Sequence, residues 1–130
     1  MIHALRAAGL CAALLLTAAL PAVAQSDAQG MSPAILSKLA TRGDLKSVRV
    51  AEIRMARRND MLVVEADFQN PERRDRFVYY RFRWLDGGGM QVGDGEGWKQ
   101  LSLLGQQLQP VKAVAPSPAA ADFRIEFNVE

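Results

Sequence analysis

Cysteine and histidine are all but missing: the chain has one of each, Cys11 and His3. Both fall in a stretch, residues 1–24, that reads as a secretory leader. Arg6 supplies a positive start, residues 7–19 form an apolar Ala/Leu-rich run, and Pro21 breaks any helix. Ala22, Val23 and Ala24 then provide the small residues of an A-x-A cleavage site. The run is short of the ~20 residues a membrane span needs, and polar Gln25, Ser26 and Asp27 follow at once. Cleavage after Ala24 is expected, and a chain beginning at Gln25 carries neither Cys nor His. Such a chain has no disulfides, no Cys or His nucleophile, no His general base and no Cys/His zinc site. Lipid attachment at Cys11 is not expected, because Leu10 stands where lipoprotein processing wants a small residue and no apolar run precedes it. The protein is expected to be exported, with no membrane span once the leader is gone.

A surplus of charge is missing too. Lys and Arg number 16 against 14 Asp and Glu. Loss of Arg6 with the leader leaves 15 against 14, a net +1, so bulk charge gives no reason to expect nucleic acid as a partner. No internal repeat is visible, and residues 25–44 read as a polar leader with one short helix ahead of a single domain over 45–130.

What the chain does have is alternation. In residues 60–70, Leu62, Val64, Ala66 and Phe68 face one way and Glu65, Asp67 and Gln69 the other. Residues 77–85 set Val78, Tyr80, Phe82 and Trp84 against Tyr79, Arg81 and Arg83. Residues 122–130 set Phe123, Ile125, Phe127 and Val129 against Arg124, Glu126 and Asn128. A period of two is the mark of a half-buried strand. Residues 48–56 alternate but change phase between Val50 and Ile53, which predicts a bulge. Weaker strands are expected over 90–92, 98–104 and 107–115, where Pro110 points to an edge or a bulge. Upstream, Ser32 and Pro33 resemble an N-cap and first helical residue, and the Ile35, Leu36, Leu39 stripe predicts a helix from Pro33 to about Arg42. Six to seven short strands separated by turn residues predict an all-β, immunoglobulin-like antiparallel sandwich with Trp84 in its core.

Few segments carry chemistry. The glycine-rich run over 87–97 invites comparison with a phosphate cradle, but such a cradle needs a helix N-terminus after it, and here a strand-like segment follows. Asp86, Asp94 and Glu96 lack the order of a calcium loop. Nothing brings two carboxylates into one cleft for acid/base work on a sugar. No catalytic residue, metal ligand or cofactor is assigned. The strongest local bias is Arg73, Arg74, Arg76, Arg81 and Arg83. With Tyr79 these are the candidate partner-binding residues, since Arg and Tyr are favoured at interface hot spots. The competing reading is a solvated face whose charges are cancelled by Glu72 and Asp75 nearby and by Glu65 and Asp67 on the preceding strand.

Asn70, the aromatic strand Tyr80-Arg81-Phe82-Arg83-Trp84, and then Asp86 and Gly89 resemble the central signature of the YcfL-like family of small bacterial envelope proteins. The likeness extends over about residues 48–127 through Trp98, Leu101 to Leu103, Val114 to Pro116 and residues 120–127. It implies an immunoglobulin-like sandwich on the periplasmic side of a Gram-negative cell, with no assigned activity and no catalytic residues. Familiar members are lipoproteins, some encoded beside an activator of a peptidoglycan synthase. This chain departs from them in its leader. The expected function is a non-catalytic periplasmic binding or accessory module, a partner of an envelope protein or wall component. The alternative is a structural or adhesion-like subunit assembling through edge strands.

Overall fold

The computed structural model describes residues 30–130. The expected leader and its cleavage site lie outside those residues. Among the described residues no helix is long and apolar enough to cross a membrane. The elements run α1 (Pro33–Leu36), β1 (Leu39–Thr41), β2 (Arg49–Arg58), β3 (Met61–Gln69), β4 (Arg76–Leu85), β5 (Lys99–Leu103), β6 (Leu108–Val114) and β7 (Asp122–Val129). They form a β-sandwich of a four-stranded sheet, ordered β1-β7-β4-β5, and a three-stranded sheet, ordered β2-β3-β6.

The helix is one turn long. Ser32 Oγ accepts from the Ile35 amide at 3.3 Å and Pro33 opens the turn. The expected continuation to Arg42 does not occur. Leu39–Thr41 instead pairs in parallel with β7, Leu39 opposite Ile125. The Ile125 amide donates to the Lys38 carbonyl at 2.8 Å and the Arg42 amide to the Phe127 carbonyl at 3.2 Å. A stripe of three apolar residues suits either a helix face or a short strand, and a long-range partner decides between them.

The hairpin between β2 and β3 turns on Asn59 and Asp60, both with positive φ (50° and 62°), the geometry a two-residue turn needs to match strand twist. The phase change in β2 is a register shift between Val50 and Glu52, as expected of a bulge. Pro110 lies in β6, an edge strand, opposite Asp67. Residues 90–92 form one bridge, Leu85 to Gln91, rather than a strand.

Strands β3 and β4 are consecutive but lie in different sheets. The arch between them is held by Asn70, fully buried, whose Nδ2 donates to the carbonyls of Arg74 (2.7 Å), Leu103 and Leu104 (both 3.3 Å). Its Oδ1 accepts from the Glu72 amide at 3.1 Å. The inner faces meet in a core built on Phe68, Phe82, Trp84, Phe123, Ile125 and Phe127. Phe68 meets Phe127 edge-on at 5.3 Å and Phe82 stacks on Trp84 at 5.6 Å, geometries that add to area burial. Asp67, expected in solvent, is only 7% exposed. Its two oxygens accept from Arg54 at 2.9 and 2.8 Å. That bidentate bond outweighs burial and holds the Asp67 carboxyl below its ordinary range.

Candidate binding face

Because Val78, Phe82 and Trp84 fill the core, the pleat puts Tyr79, Arg81 and Arg83 on the outer face of the four-stranded sheet. Their neighbours come from β5 and β7, not from Glu65 and Asp67, which belong to the other sheet. Tyr79 lies between Gln100 and Asn128, Arg81 opposite Glu126, and Arg83 opposite Arg124. The charge cancellation expected across β3 is therefore replaced by a different one. Arg81 donates from Nε to Glu126 Oε2 at 2.8 Å, and Arg83 reaches Glu126 Oε1 at 3.6 Å. Glu126, 8% exposed, is thus flanked by two guanidinium groups.

The Arg81 guanidinium carbon also lies over the Trp98 ring, 4.4 Å from its centroid, so the group is held on two sides. Trp98 is 40% exposed and Phe77, farther along the same face, 47%. The Tyr79 hydroxyl donates to Glu130 Oε2 at 3.3 Å.

The other three candidate arginines do not join this face. Arg76 lies on the inward phase of β4 at the strand's end. Its guanidinium is paired with Glu72 at 3.1 Å and its Nε is buried without a partner. Glu72 also accepts from Ser47 Oγ at 2.8 Å. The Ser47 bond, with that from Arg76, lowers its pKa. Arg76 thus ties the β3–β4 arch. Arg73 and Arg74 are exposed on that arch.

Beyond Tyr80, where β5 stops pairing, the edge of β4 is finished by the glycine-rich loop. The Val92 amide donates to the Trp84 carbonyl at 2.9 Å. The Glu96 carboxylate accepts from the Phe82 amide at 3.3 Å and from Trp84 Nε1 at 3.0 Å, standing in for a strand partner. The charge of Glu96 also contributes, after burial, to raising the Tyr80 phenol pKa. Asp86 makes the turn, its Oδ1 accepting from the Gly88 and Met90 amides, both at 2.9 Å. Gly89 supplies a φ of 83°. The segment leads into β5 and not a helix, so it has no phosphate-cradle geometry. Between this loop and the outer face lies a crevice of about 300 Å³ lined by Arg81, Arg83, Glu126, Gln91, Asp94 and Glu96. Among the described residues no group of three or more His, Cys, Asp or Glu is placed to hold a metal ion.

Trp98, Phe77, Glu96 and Glu126 are not among the candidate partner-binding residues named from sequence. Glu126 lies on the outward phase of its strand, which is legible, but its place under Arg81 depends on a pairing of residues 45 positions apart. Trp98 sits next to a weakly patterned strand whose phase the sequence does not fix.

No curated protein matches the chain. Among solved structures, cj0090 of Campylobacter jejuni is similar with a TM-score of 0.62 at 22% identity, covering 69% of this chain and 95% of that one. A DUF1425 family member from Shewanella sp. pv-4 is similar with a TM-score of 0.55 at 28% identity, covering 64% of this chain and 76% of that one. Residues 40–128 match the family described as "Protein of unknown function (DUF1425)", a span from the first strand to the last. The chain belongs to the DUF1425 family.

Proposed function

We propose that the protein is a non-catalytic periplasmic binding or accessory module that docks an envelope protein or wall component on the outer face of its four-stranded sheet. The observation that carries this reading is the clustering of Phe77, Tyr79, Arg81, Arg83 and Trp98 on that face. Aromatic and Arg side chains with restricted freedom lose little entropy on binding. The Trp98 contact and the Glu126 bond provide that restriction for Arg81. Support for the compartment comes from the leader-like residues 1–24 and from the YcfL-like signature at Asn70, Tyr80 to Trp84, Asp86 and Gly89.

Assembly through strand edges has less support. Of the four edge strands, β1 and β5 are three and five residues long, β6 carries Pro110, and the ten-residue β2 is bulged between Val50 and Glu52. Short edges, bulges and proline are devices that discourage edge pairing.

The test is a photo-reactive residue placed at Phe77 or Tyr79 in the native host, with Val63 on the opposite sheet as control. A discrete adduct from the first two positions and none from Val63 supports the face. Adducts from Val63 alone would move the function to the other sheet. Intact-mass measurement on the same protein checks the compartment, with an N-terminus at Gln25 expected. An uncut leader would overturn that part, and an acylated Cys11 would overturn cleavage after Ala24 and show a lipid-anchored protein instead.

A further inference from the structure

The crevice beside Arg81 and Arg83 has a charge distribution that selects one kind of ligand. Two guanidinium groups form one wall and Asp94 and Glu96 lie on the loop opposite, with Glu126 at the foot of the arginines. Most of these charges are already engaged. Glu126 accepts from Arg81 Nε and faces Arg83. Glu96 accepts from the Trp84 indole and the Phe82 amide. Three groups remain for a ligand. The terminal nitrogens of Arg81, and those of Arg83 except for the 3.6 Å approach to Glu126, make no hydrogen bond among the described residues, and neither does the Asp94 carboxylate.

A purely anionic ligand would meet three carboxylates in this lining, and a purely cationic one two guanidinium groups. A ligand with both charges, a few bonds apart, meets a complement on each side. The volume, about 300 Å³, is at the small end of ligand pockets, room for one or two amino-acid residues. In the loop wall Gly95 and Gly97 stand on either side of Glu96, with the Gln91 side-chain amide 3.4 Å from where a Gly95 Cβ would lie.

We propose that this crevice is a binding subsite for a short zwitterionic peptide. The carboxylate accepts hydrogen bonds from the terminal nitrogens of Arg81 and Arg83, and the ammonium donates to Asp94. The proposal deepens the binding role given above and rests on the same face. The ligand chemistry is shared by a free dipeptide and by the stem peptide of a wall polymer.

The test is a titration of 15N-labelled protein of residues 25–130 with L-Ala-L-Ala, its N-acetyl derivative and its C-terminal amide. The Trp98 indole N–H and the Gly95 and Gly97 amides are the local probes. Saturable shifts confined to those probes are expected with the free dipeptide. Each blocked derivative should bind about tenfold or more weakly, because each loses one charge-assisted contact. Arg83→Gln should weaken the free and N-acetyl forms but not the amide, and Asp94→Asn the free and amide forms but not the N-acetyl. Equal shifts from all three compounds, or none at these probes, would overturn the subsite. A soluble stem peptide carrying a free ammonium and carboxylate forms a second arm. Tighter binding than the dipeptide points to the wall as source, and weaker binding to free peptides. A protein adduct captured from Phe77 or Tyr79 while every peptide is inert would sink the subsite and leave the docking face standing.

Discussion

The indole Nε1–H of Trp84 donates to Glu96 Oε1 at 3.0 Å across the glycine-rich loop. The other oxygen of the same carboxylate caps the Phe82 amide. One side chain thereby closes the open edge of β4 and satisfies the polar atom of the largest buried side chain, Trp84, 2% exposed. Trp84→Ala should cost ~3–5 kcal/mol, a large share of the ~5–15 kcal/mol a domain has in total. Glu96→Ala removes two acceptors but leaves the ring in place, and should cost ~1–3 kcal/mol. Urea denaturation checks both. A Trp84→Ala protein as stable as wild type would show that the core does not depend on it.

The two arginines flanking Glu126 should behave differently. Arg81→Gln strips the shorter of the two contacts from a carboxylate with little access to water, and should cost ~1–3 kcal/mol. Arg83 is more exposed and 3.6 Å away, so Arg83→Gln should change stability by less than ~0.5 kcal/mol. Thermal melts of both variants check this ordering. It also makes Arg83→Gln the cleaner probe of binding, since loss of a partner would not be confounded with unfolding.

The β3–β4 arch should tolerate little change. Asn70→Asp puts acceptor oxygens against three carbonyls that now receive a donor. It should destabilise more than Asn70→Ala, whose expected cost is ~1–3 kcal/mol. Gly105 packs on the same arch, and a Cβ there would overlap the Arg73 carbonyl. Gly105→Ala should therefore cost about 2 kcal/mol or more, since backbone on both sides must move. The midpoint of urea unfolding measures each. A neutral Gly105→Ala would show that the arch is free to shift.

Acid should weaken the edge where β1 meets β7. Burial alone would raise the Asp122 pKa. Hydrogen bonds from Lys38 Nζ, the Phe123 amide and Arg124 outweigh it and hold the carboxyl at about 2, below its ordinary 3.8. A folded-state pKa below the unfolded one means stability fully present above about 3.8 and lost as pH falls through about 2. Asp67, lowered by Arg54, adds in the same direction. Melting temperatures from pH 6 to pH 2 should fall steeply at the acid end for the wild type. Asp122→Asn should melt lower than wild type at pH 6, and the gap should narrow toward pH 2. A constant gap would mean that the Asp122 charge contributes nothing to folding.

The alternating residues of β3, β4 and β7 were enough to assign strands and the inward set, because a sheet buried on one face imposes a period of two on its own sequence. The bulge in β2 and the core position of Trp84 are local consequences of the same rule, and the edge position of Pro110 follows from its missing N–H. The outward face of β4 was legible for that reason as well, so Tyr79, Arg81 and Arg83 could be named. Their neighbours could not be. Local pattern does not say that β3 and β4 part into different sheets, that Glu126 rather than Glu65 or Asp67 lies beside Arg81, or that Leu39 leaves a helix to pair with Ile125. Each of these is a choice among distant partners with similar local propensities, decided by which pairing closes both sheets over one core. Sequence alone determined which phase of each strand turns inward, but not that Asp67 and Glu126, on outward phases, are buried by their neighbours. Tertiary structure alone decided which outward charges meet, and so whether they cancel or make a site.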